Sequence, residues 1–391
     1  MAERGVRRCL VHVFHPGNVI AAVSAVKWYG QHNGDSRPLQ VITVLHHPGL
    51  SDEVMEEMAE PLARLIEGHG WTRPFVLTSS RLAGILGGRW TSTREVLRRF
   101  RSVVGVNEVD EIYYDHDISE PVPGLAMNAF PNAARITYGE ALGTVNDKHE
   151  RLAMYHRTQQ TAIDSQHPRR IRHVQALAGL KASVKQALQG SLQPLDAEIA
   201  VLILPVAHTN NCLANKRLVV VPKPLVIEVI QTCNMAVPEL GRYCQALVTD
   251  NPGPHYLMLL ENLAEGNFIS LAAEARLYAH LVRQHVPPGA TVFIKPHPST
   301  MTTVGQDLST QLEPEYRARI VSQEFRRYPI ELWIDLLSAC QTISFGACCV
   351  NLTFLYDRAV IYPLEPELVD TFIPPAVWEI LDLGRRIYAG Q

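Results

Sequence analysis

The stretch ATVFIKPHPST, from Ala290 to Thr300, decides how the second half of this chain is interpreted. Thr291 to Ile294 are apolar and β-prone, which is typical of a strand buried on both faces. Two prolines then predict the end of the strand, because proline cannot donate a ladder hydrogen bond. Lys295 and His297 thus follow the carboxyl end of a strand, where open α/β sheets bind ligands. A cation and a histidine at this place suit a phosphate or a carboxylate. The alternative is a strand-end loop with a chance histidine.

Length and composition restrict the class of protein. The chain has 391 residues, 47% hydrophobic and 19% charged, and a single core stops growing near about 250–300 residues, so two domains are expected. A net charge of -3 gives no basic field of the kind that binds nucleic acid. The seven cysteines lack CxxC spacing, so we predict neither a disulfide framework nor a zinc site, and a reducing cytosol fits.

Membrane and export signals are weak in this sequence. No apolar run reaches the length of about 18 residues that a membrane-spanning helix needs. The apolar run Cys9–Phe14 follows basic residues but is too short for a signal peptide, and it is interpreted as the first strand.

Predicted strands and helices alternate in the first half of the chain. The predicted strands are Arg8–Phe14, Leu39–His46, Pro74–Thr78, Glu111–Asp115 and Ala134–Tyr138, and the predicted helices are Val19–Tyr29, Glu53–Glu67 and Arg94–Val103. This alternation favours a parallel sheet covered on both faces. We expect Ile199–Leu204 to close that sheet and Cys212–Val221 to lead into the second half. The charged segment Asn146–Ala197 is predicted to be helical, and its basic cluster Pro168–His173 is interpreted as a solvated face rather than an anion or lipid contact.

The second half repeats the alternation. Its predicted strands are Tyr256–Leu260, Thr291–Ile294, Arg319–Ser322, Gln341–Ser344 and Ala359–Tyr362, and its predicted helices are Leu271–Gln284, Pro329–Ser338, Val350–Tyr356 and Val377–Ile387. We therefore predict an α/β protein with two Rossmann-like domains, residues 1–200 and 201–391, that face each other across a cleft lined by strand ends. The crossover is expected between Leu192 and Pro254.

Two glycine-containing turns follow predicted strands and could carry chemistry. In YGEALG, residues 138–143, two glycines bracket Glu140, so this carboxylate can enter a cleft and act as a general base. In SFGACC, residues 344–349, Gly346 leads into a helix whose free N–H groups suit a phosphate, and Ser344 adds a hydroxyl. The second turn matches neither GxGxxG nor a P-loop, and its cysteine pair is interpreted as buried, inert thiols. Plain turns are the alternative for both segments.

Together these segments resemble the bacterial sialyltransferases of the polysialyltransferase and lipooligosaccharide sialyltransferase type. The resemblance covers about residues 8–365, and that family has a GT-B fold with three short motifs. Residues 295–298, KPHP, match its His-Pro motif in full, and Gly139-Glu140-Ala141 stands where its acidic motif belongs. Residues 344–348 resemble its serine motif, and Asn262 follows a strand like the one that opens its second domain.

The resemblance implies an inverting glycosyltransferase that moves sialic acid from CMP-sialic acid to a hydroxyl of a glycan acceptor. Glu140 stands at the family's base position. The implied donor site consists of Lys295, His297, Pro298, Ser344, Gly346 and Asn262. By this resemblance the reaction needs neither a metal nor a cofactor, because protein groups stabilise the leaving CMP phosphate. The resemblance implies a cytoplasmic protein and leaves peripheral association with the inner membrane face, the acceptor, the linkage and the oligomeric state open.

Three positions depart from the family's pattern and keep two other interpretations open. Only the second acid of the acidic motif survives, as Glu140, and Ala141 follows it where the motif has glycine. Ala347 and Cys348 stand where hydroxyl residues are expected. One alternative is a related GT-B transferase that uses another nucleotide sugar, such as CMP-Kdo. The other is an inactive nucleotide-binding or scaffold protein. The nearest imitation of a metal-binding DxD pair is Asp115-His116-Asp117, and it lies in the first half of the chain.

Overall fold

Two parallel β-sheets organise the computed structural model, one in each half of the chain. The structure describes residues 5–47, 50–88, 91–115, 121–139, 195–205, 213, 215–265, 268–298, 300, 302–346, 348–363, 365, 368, 371–373 and 378. These residues fall into two compact units, one up to Ala236 and one from Val237 onward. The prediction of an α/β protein with two parallel sheets is therefore confirmed.

The first unit contains a seven-stranded sheet. Its strands are β1 Arg7–Val13, β2 Leu39–Leu45, β3 Phe75–Val76, β4 Glu111–Asp115, β5 Ala134–Gly139, β6 Ile199–Leu202 and β7 Arg217–Val220. Its helices are α1 Val19–His32, α2 Asp52–Glu67, α3 Ser79–Leu86, α4 Thr93–Val104, α5 Pro121–Ala129 and α6 Lys223–Ala236. The strand order is β3-β2-β1-β4-β5-β6-β7 with every pair parallel. This is the doubly wound order, which reverses direction between β1 and β4.

Local sequence explains where several of these helices begin. Ser51, Thr78 and Ser92 each accept a hydrogen bond from the backbone N–H three residues further on. Such caps satisfy N–H groups that have no partner in the first helical turn. Helix α4 ends at Gly105, whose φ of 79° is left-handed and suits glycine. These signals set the ends of α2, α3 and α4.

An ion pair is buried among the central strands of the first sheet. Arg7 donates from Nε to Glu111 Oε1 at 2.8 Å and from Nη2 to Glu111 Oε2 at 2.6 Å. The Tyr113 hydroxyl also donates to Glu111 Oε2, at 2.6 Å. The two side chains of the pair are only 5% and 8% exposed. Burial alone disfavours both charges, so the pair depends on these hydrogen bonds.

The second unit contains a five-stranded parallel sheet. Its strands are β8 His255–Leu259, β9 Thr291–Lys295, β10 Arg317–Ile320, β11 Gln341–Ile343 and β12 Val360–Ile361. Its helices are α7 Pro238–Asp250, α8 Leu271–His285, α9 Val304–Leu312, α10 Ile334–Ala339 and α11 Cys348–Tyr356. The order is β10-β9-β8-β11-β12, so this sheet also reverses direction, between β8 and β11. Its core includes Met258, Tyr278, Val292, Ile294 and Phe345.

The first unit extends beyond residue 200, the domain limit predicted from the sequence. The described residues between 201 and 236 lie in the first unit. The reason is that β6 and β7 extend the first sheet, and α6 packs against α1 and α2. Two contacts fix α6 there: Lys27 Nζ to Glu228 Oε1 at 3.0 Å, and His69 Nε2 to Cys233 Sγ at 3.3 Å.

Other differences are local. The predicted helix Pro329–Ser338 is a short 3-10 turn at Ile330–Leu332 followed by α10. Residues 146–194, including the basic cluster, lie outside the described residues, and so does Val377–Ile387 apart from Trp378. No described helix combines the length and the hydropathy needed to cross a bilayer.

Candidate functional site

The carboxyl ends of β8, β9 and β11 meet at one edge of the second sheet. Strand β8 lies between the other two, with Leu259 paired to Lys295 and Met258 paired to Ile343. The chain leaves the sheet at Glu261-Asn262, at His297 and at Ser344. The strand order reverses at this place, and open α/β sheets bind ligands at such a reversal. The sheet thus brings Asn262, His297 and Ser344, all predicted site residues, to one edge.

His297 is held by a chain of polar groups. Its Nδ1 lies 3.0 Å from Asn262 Nδ2, and the Thr300 hydroxyl donates to Asn262 Oδ1 at 2.5 Å. Because Thr300 takes the amide oxygen, the amide nitrogen faces the ring and donates to it. The network therefore assigns the tautomer: Nδ1 accepts, and Nε2 carries the proton in the neutral ring. The half-buried His297 then presents an N–H donor, which suits a phosphate oxygen.

Removing the Thr300 hydroxyl tests this tautomer assignment. Thr300→Val keeps the shape of this residue, 2% exposed, but leaves the amide of Asn262 without the donor that orients it. For CMP, the ligand that the resemblance implies, we expect the binding free energy to weaken by about 1–2 kcal/mol, the usual cost of an unsatisfied buried polar group. Titration calorimetry with CMP measures this change. Thr302→Val is the matched control. The backbone N–H of Thr302 donates to Glu265 Oε1 at 2.7 Å, and the variant keeps that hydrogen bond. Equal effects of the two variants would contradict the assignment.

Ser344 and Gly346 form the turn between β11 and α11. Ser344 is fully buried. Its hydroxyl accepts from Gly346 N at 3.4 Å, and its own backbone N–H donates to Ile361 O at 3.1 Å. Gly346 O in turn accepts from Cys349 N at 3.1 Å, where the helix begins. The hydroxyl thus shapes the turn, and its contact with a ligand stays a prediction. Ala347 lies outside the described residues, as does the side chain of Cys348.

Lys295 is held by protein groups inside the second unit. The side chain is 3% exposed. Its Nζ donates to Arg326 O at 3.2 Å and lies 5.3 Å from the centre of the Trp333 ring, a cation–π distance. The ammonium also offsets the charge of buried Glu331, whose pKa burial raises. These contacts explain why a lysine is tolerated here, and donor contact by Lys295 stays a prediction.

An arginine that the sequence analysis did not select holds the KPHP loop. Arg327, 4% exposed, donates from Nη1 to Pro298 O at 2.5 Å. The loop is also closed by Thr300 N, which donates to His297 O at 2.9 Å. The sequence does not predict this role of Arg327, because its hydrogen-bond partner is a backbone carbonyl 29 residues away.

Glu261 was also missed, and it lies directly against Gly346. A Cβ atom added to Gly346 would stand 1.6 Å from Glu261 Oε1, so the carboxylate occupies the space that glycine leaves. Burial first, and the charge of Glu274 second, raise the pKa of Glu261 to about 7. Glu274 itself accepts from Leu263 N at 3.3 Å and Ala264 N at 2.8 Å. The site therefore contains two interacting carboxylates, Glu261 and Glu274, and Glu261 is the one that lies against Gly346.

The predicted base cannot be placed in the same way. Glu140 lies outside the described residues, although Gly139 before it is the last residue of β5. Asp115 ends β4, is 7% exposed and accepts from Asn18 Nδ2 at 3.2 Å. His116 and Asp117 also lie outside the described residues. Within the described ranges, no group of three or more His, Cys, Asp or Glu side chains could hold a metal ion.

Comparisons with known proteins give distant structural likenesses and no family. No family model and no curated protein matches the sequence. The UDP-GlcNAc 2-epimerase from Methanocaldococcus jannaschii aligns over 99% of this chain and 93% of its own, with a TM-score of 0.44 and 10% identity. The sialyltransferase from Photobacterium damsela aligns over 86% and 70%, with a TM-score of 0.36 and 8% identity. The calicheamicin glycosyltransferase CalG4 aligns over 98% and 93%, with a TM-score of 0.38 and 14% identity.

Proposed function

We propose that this protein is a glycosyltransferase that moves sialic acid from CMP-sialic acid to a hydroxyl of a glycan acceptor and inverts the anomeric carbon. The observation that carries the proposal is the fixed imidazole of His297, set by Asn262 at the reversal of the second sheet. A preorganised N–H donor at this place suits the phosphate of a nucleotide sugar. The KPHP sequence that positions it matches in full the His-Pro motif of the polysialyltransferase and lipooligosaccharide sialyltransferase type, which the sequence resembles.

The donor half of the reaction uses the second unit. The bond between the anomeric carbon and the phosphate oxygen breaks, and its electron pair leaves with CMP. His297 Nε2–H stabilises the charge that develops on that phosphate. The backbone N–H groups at the start of α11 add a partial positive charge. Asn262 and Thr300 act through His297 and are positioning residues.

The acceptor half uses the first unit. Glu140 takes the proton from the acceptor hydroxyl as its oxygen attacks the anomeric carbon from the face opposite the phosphate. The new glycosidic bond forms as the bond to phosphate breaks, so the configuration inverts.

One experiment separates transferase from scaffold. The wild-type protein is incubated with CMP-sialic acid and a panel of sialylated and neutral glycans, and release of CMP is measured. Thermal stabilisation by CMP, UDP and GDP is measured in parallel, since a ligand that binds only the folded state raises the melting temperature. The inactive-scaffold alternative, which Ala141, Ala347 and Cys348 favour, predicts CMP binding without turnover. Transfer from CMP-Kdo instead of CMP-sialic acid would identify the related transferase.

His297→Ala tests the donor role directly. We expect weaker CMP binding and a loss of about 2–4 kcal/mol of transition-state stabilisation, because the variant removes a preorganised donor. Calorimetry with CMP and initial rates of CMP release measure both effects. His280→Ala is the matched control, because His280 lies exposed on α8 and packs against Phe372 at a ring distance of 4.9 Å. Wild-type affinity and turnover in His297→Ala would refute the role.

A further inference from the structure

The carboxylate of Glu261 lies where the proposed function puts a phosphate. Its Oε1 contacts Gly346, the residue that precedes the N-terminus of α11. The start of that helix and His297 are the groups that the proposed function assigns to the nucleotide phosphate. This inference therefore rests on the proposed function. An ionised carboxylate and a doubly charged phosphate at one place repel each other, so one of them must move or become neutral.

The surroundings of Glu261 favour the neutral acid. The negative charge of Glu274, on α8, acts on this carboxyl group, and the Tyr278 hydroxyl accepts a hydrogen bond from Glu261 N at 2.6 Å. Gly346, from the turn before α11, lies against the carboxyl group and has no charge. The neighbouring residue Asn262 binds His297 of the KPHP loop. Glu265 adds a third carboxylate near Glu274. Within the part of the chain that the structure describes, no lysine or arginine forms an ion pair with Glu261.

We propose that Glu261 binds the nucleotide phosphate as the neutral acid, donating its O–H to a phosphate oxygen beside Gly346, so that one proton enters the site with each nucleotide. Where the acid is ionised in the free protein, the proton comes from solvent when the nucleotide binds and returns to solvent when CMP leaves. No covalent bond of Glu261 other than its O–H changes. The carboxyl group thus acts as a binding residue whose protonation state is coupled to occupancy of the donor site.

This coupling has a definite sign. Without ligand, the pKa of Glu261 is raised to about 7, and a bound phosphate raises it further, since the neutral form alone can donate. The second ionisation of a phosphate monoester lies near about pH 6, so CMP is a dianion throughout the range above about pH 7. In that range the affinity for CMP is expected to fall about tenfold for each unit by which the pH rises. The fall ends when the pH passes the pKa that Glu261 has in the CMP complex.

Titration calorimetry on the full-length wild-type protein tests the proposal without any variant. CMP is titrated at about pH 8 in two buffers of different ionisation enthalpy, and the difference in heat gives the protons taken up. We expect close to one proton per CMP bound, as linkage requires for a single group. Cytidine, which lacks the phosphate, should bind without proton uptake. No uptake with CMP would overturn the proposal.

A matched pair of variants assigns the proton to its group. Glu261→Gln keeps the shape and donates from its amide at every pH, so its affinity for CMP should be flat above about pH 7 and proton uptake should be lost. Glu265→Gln, in the same loop, should retain the wild-type pH dependence. An unchanged slope in Glu261→Gln would assign the proton to another group, such as His297, and would overturn the inference while leaving the proposed function intact. Absence of CMP binding by the wild type between about pH 6 and 9 would overturn both.

Discussion

Replacing Glu140 by glutamine is expected to lower turnover about 10²–10⁴-fold, the usual share of general acid–base catalysis, while the affinity for CMP stays at the wild-type value. The amide cannot take the proton of the acceptor hydroxyl, so the attack loses its base. The base acts on the acceptor and not on the leaving nucleotide, so the variant changes turnover without changing the affinity for CMP. Glu140 follows Gly139, the last residue of β5.

The pH–rate profile, a companion variant and CMP binding together test the role of Glu140. The wild type should lose activity on the acid side of its pH–rate profile, where the base is protonated, and Glu140→Gln should lack that limb. Asp115→Asn is the companion variant, because Asp115 also ends a strand of the first sheet and is held by Asn18. Retained activity in Glu140→Gln would move the role to Asp115 or Asp117. Loss of CMP binding in the same variant would make Glu140 structural.

Replacing Arg7 by methionine is expected to destabilise the first unit by about 3–5 kcal/mol, because it leaves the carboxylate of Glu111 buried without its cation. Both ends of the guanidinium fork bind that carboxylate, at 2.6 and 2.8 Å. Hydrogen exchange at the amides of β1 and β4 reports the change in the first unit alone.

Two further variants identify the cause. Arg8→Met on the same strand removes an exposed hydrogen bond to Gln40 at 3.0 Å and leaves the buried pair in place, and it should cost less than about 1 kcal/mol. The double variant Arg7→Met with Glu111→Leu removes both charges and should recover much of the loss. If the double variant is as unstable as the single one, packing rather than charge explains the effect.

Much of the fold could be predicted because the local sequences of its central strands indicate buried β-structure. Strands β1, β4 and β9 are buried on both faces, so the apolar and aromatic residues at their centres are consecutive rather than alternating, as in Cys9–Val11, Ile112–Tyr114 and Val292–Ile294. The KPHP prolines mark the end of β9, and the rule that ligands bind at strand ends then selects His297. The edge strand β7 was not predicted, since none of its residues is fully buried and its sequence has no clear pattern.

The missing parts of the site depend on contacts that sequence does not show. Asn262 and Thr300 meet across 38 positions of the chain, and His297 lies 35 positions from Asn262. Nothing local to Glu261 indicates that its carboxylate reaches Gly346, because that proximity follows from β11 pairing with β8. The extension of the first unit past residue 200 has the same cause: β6 and β7 join the first sheet only through pairing.

The strand order of the first sheet also constrains how it forms during synthesis. Strands β3, β2, β1, β4 and β5 are complete once Gly139 has been made, but β6, the next neighbour of β5, begins at Ile199. Translation at about 5–20 residues per second leaves an interval of about 3–12 s between the two. During that interval β5 is an open edge with unpaired backbone groups, which other strands can join. The nascent chain thus carries an open strand edge midway through its first unit, and a pause in translation there would prolong this exposure to aggregation.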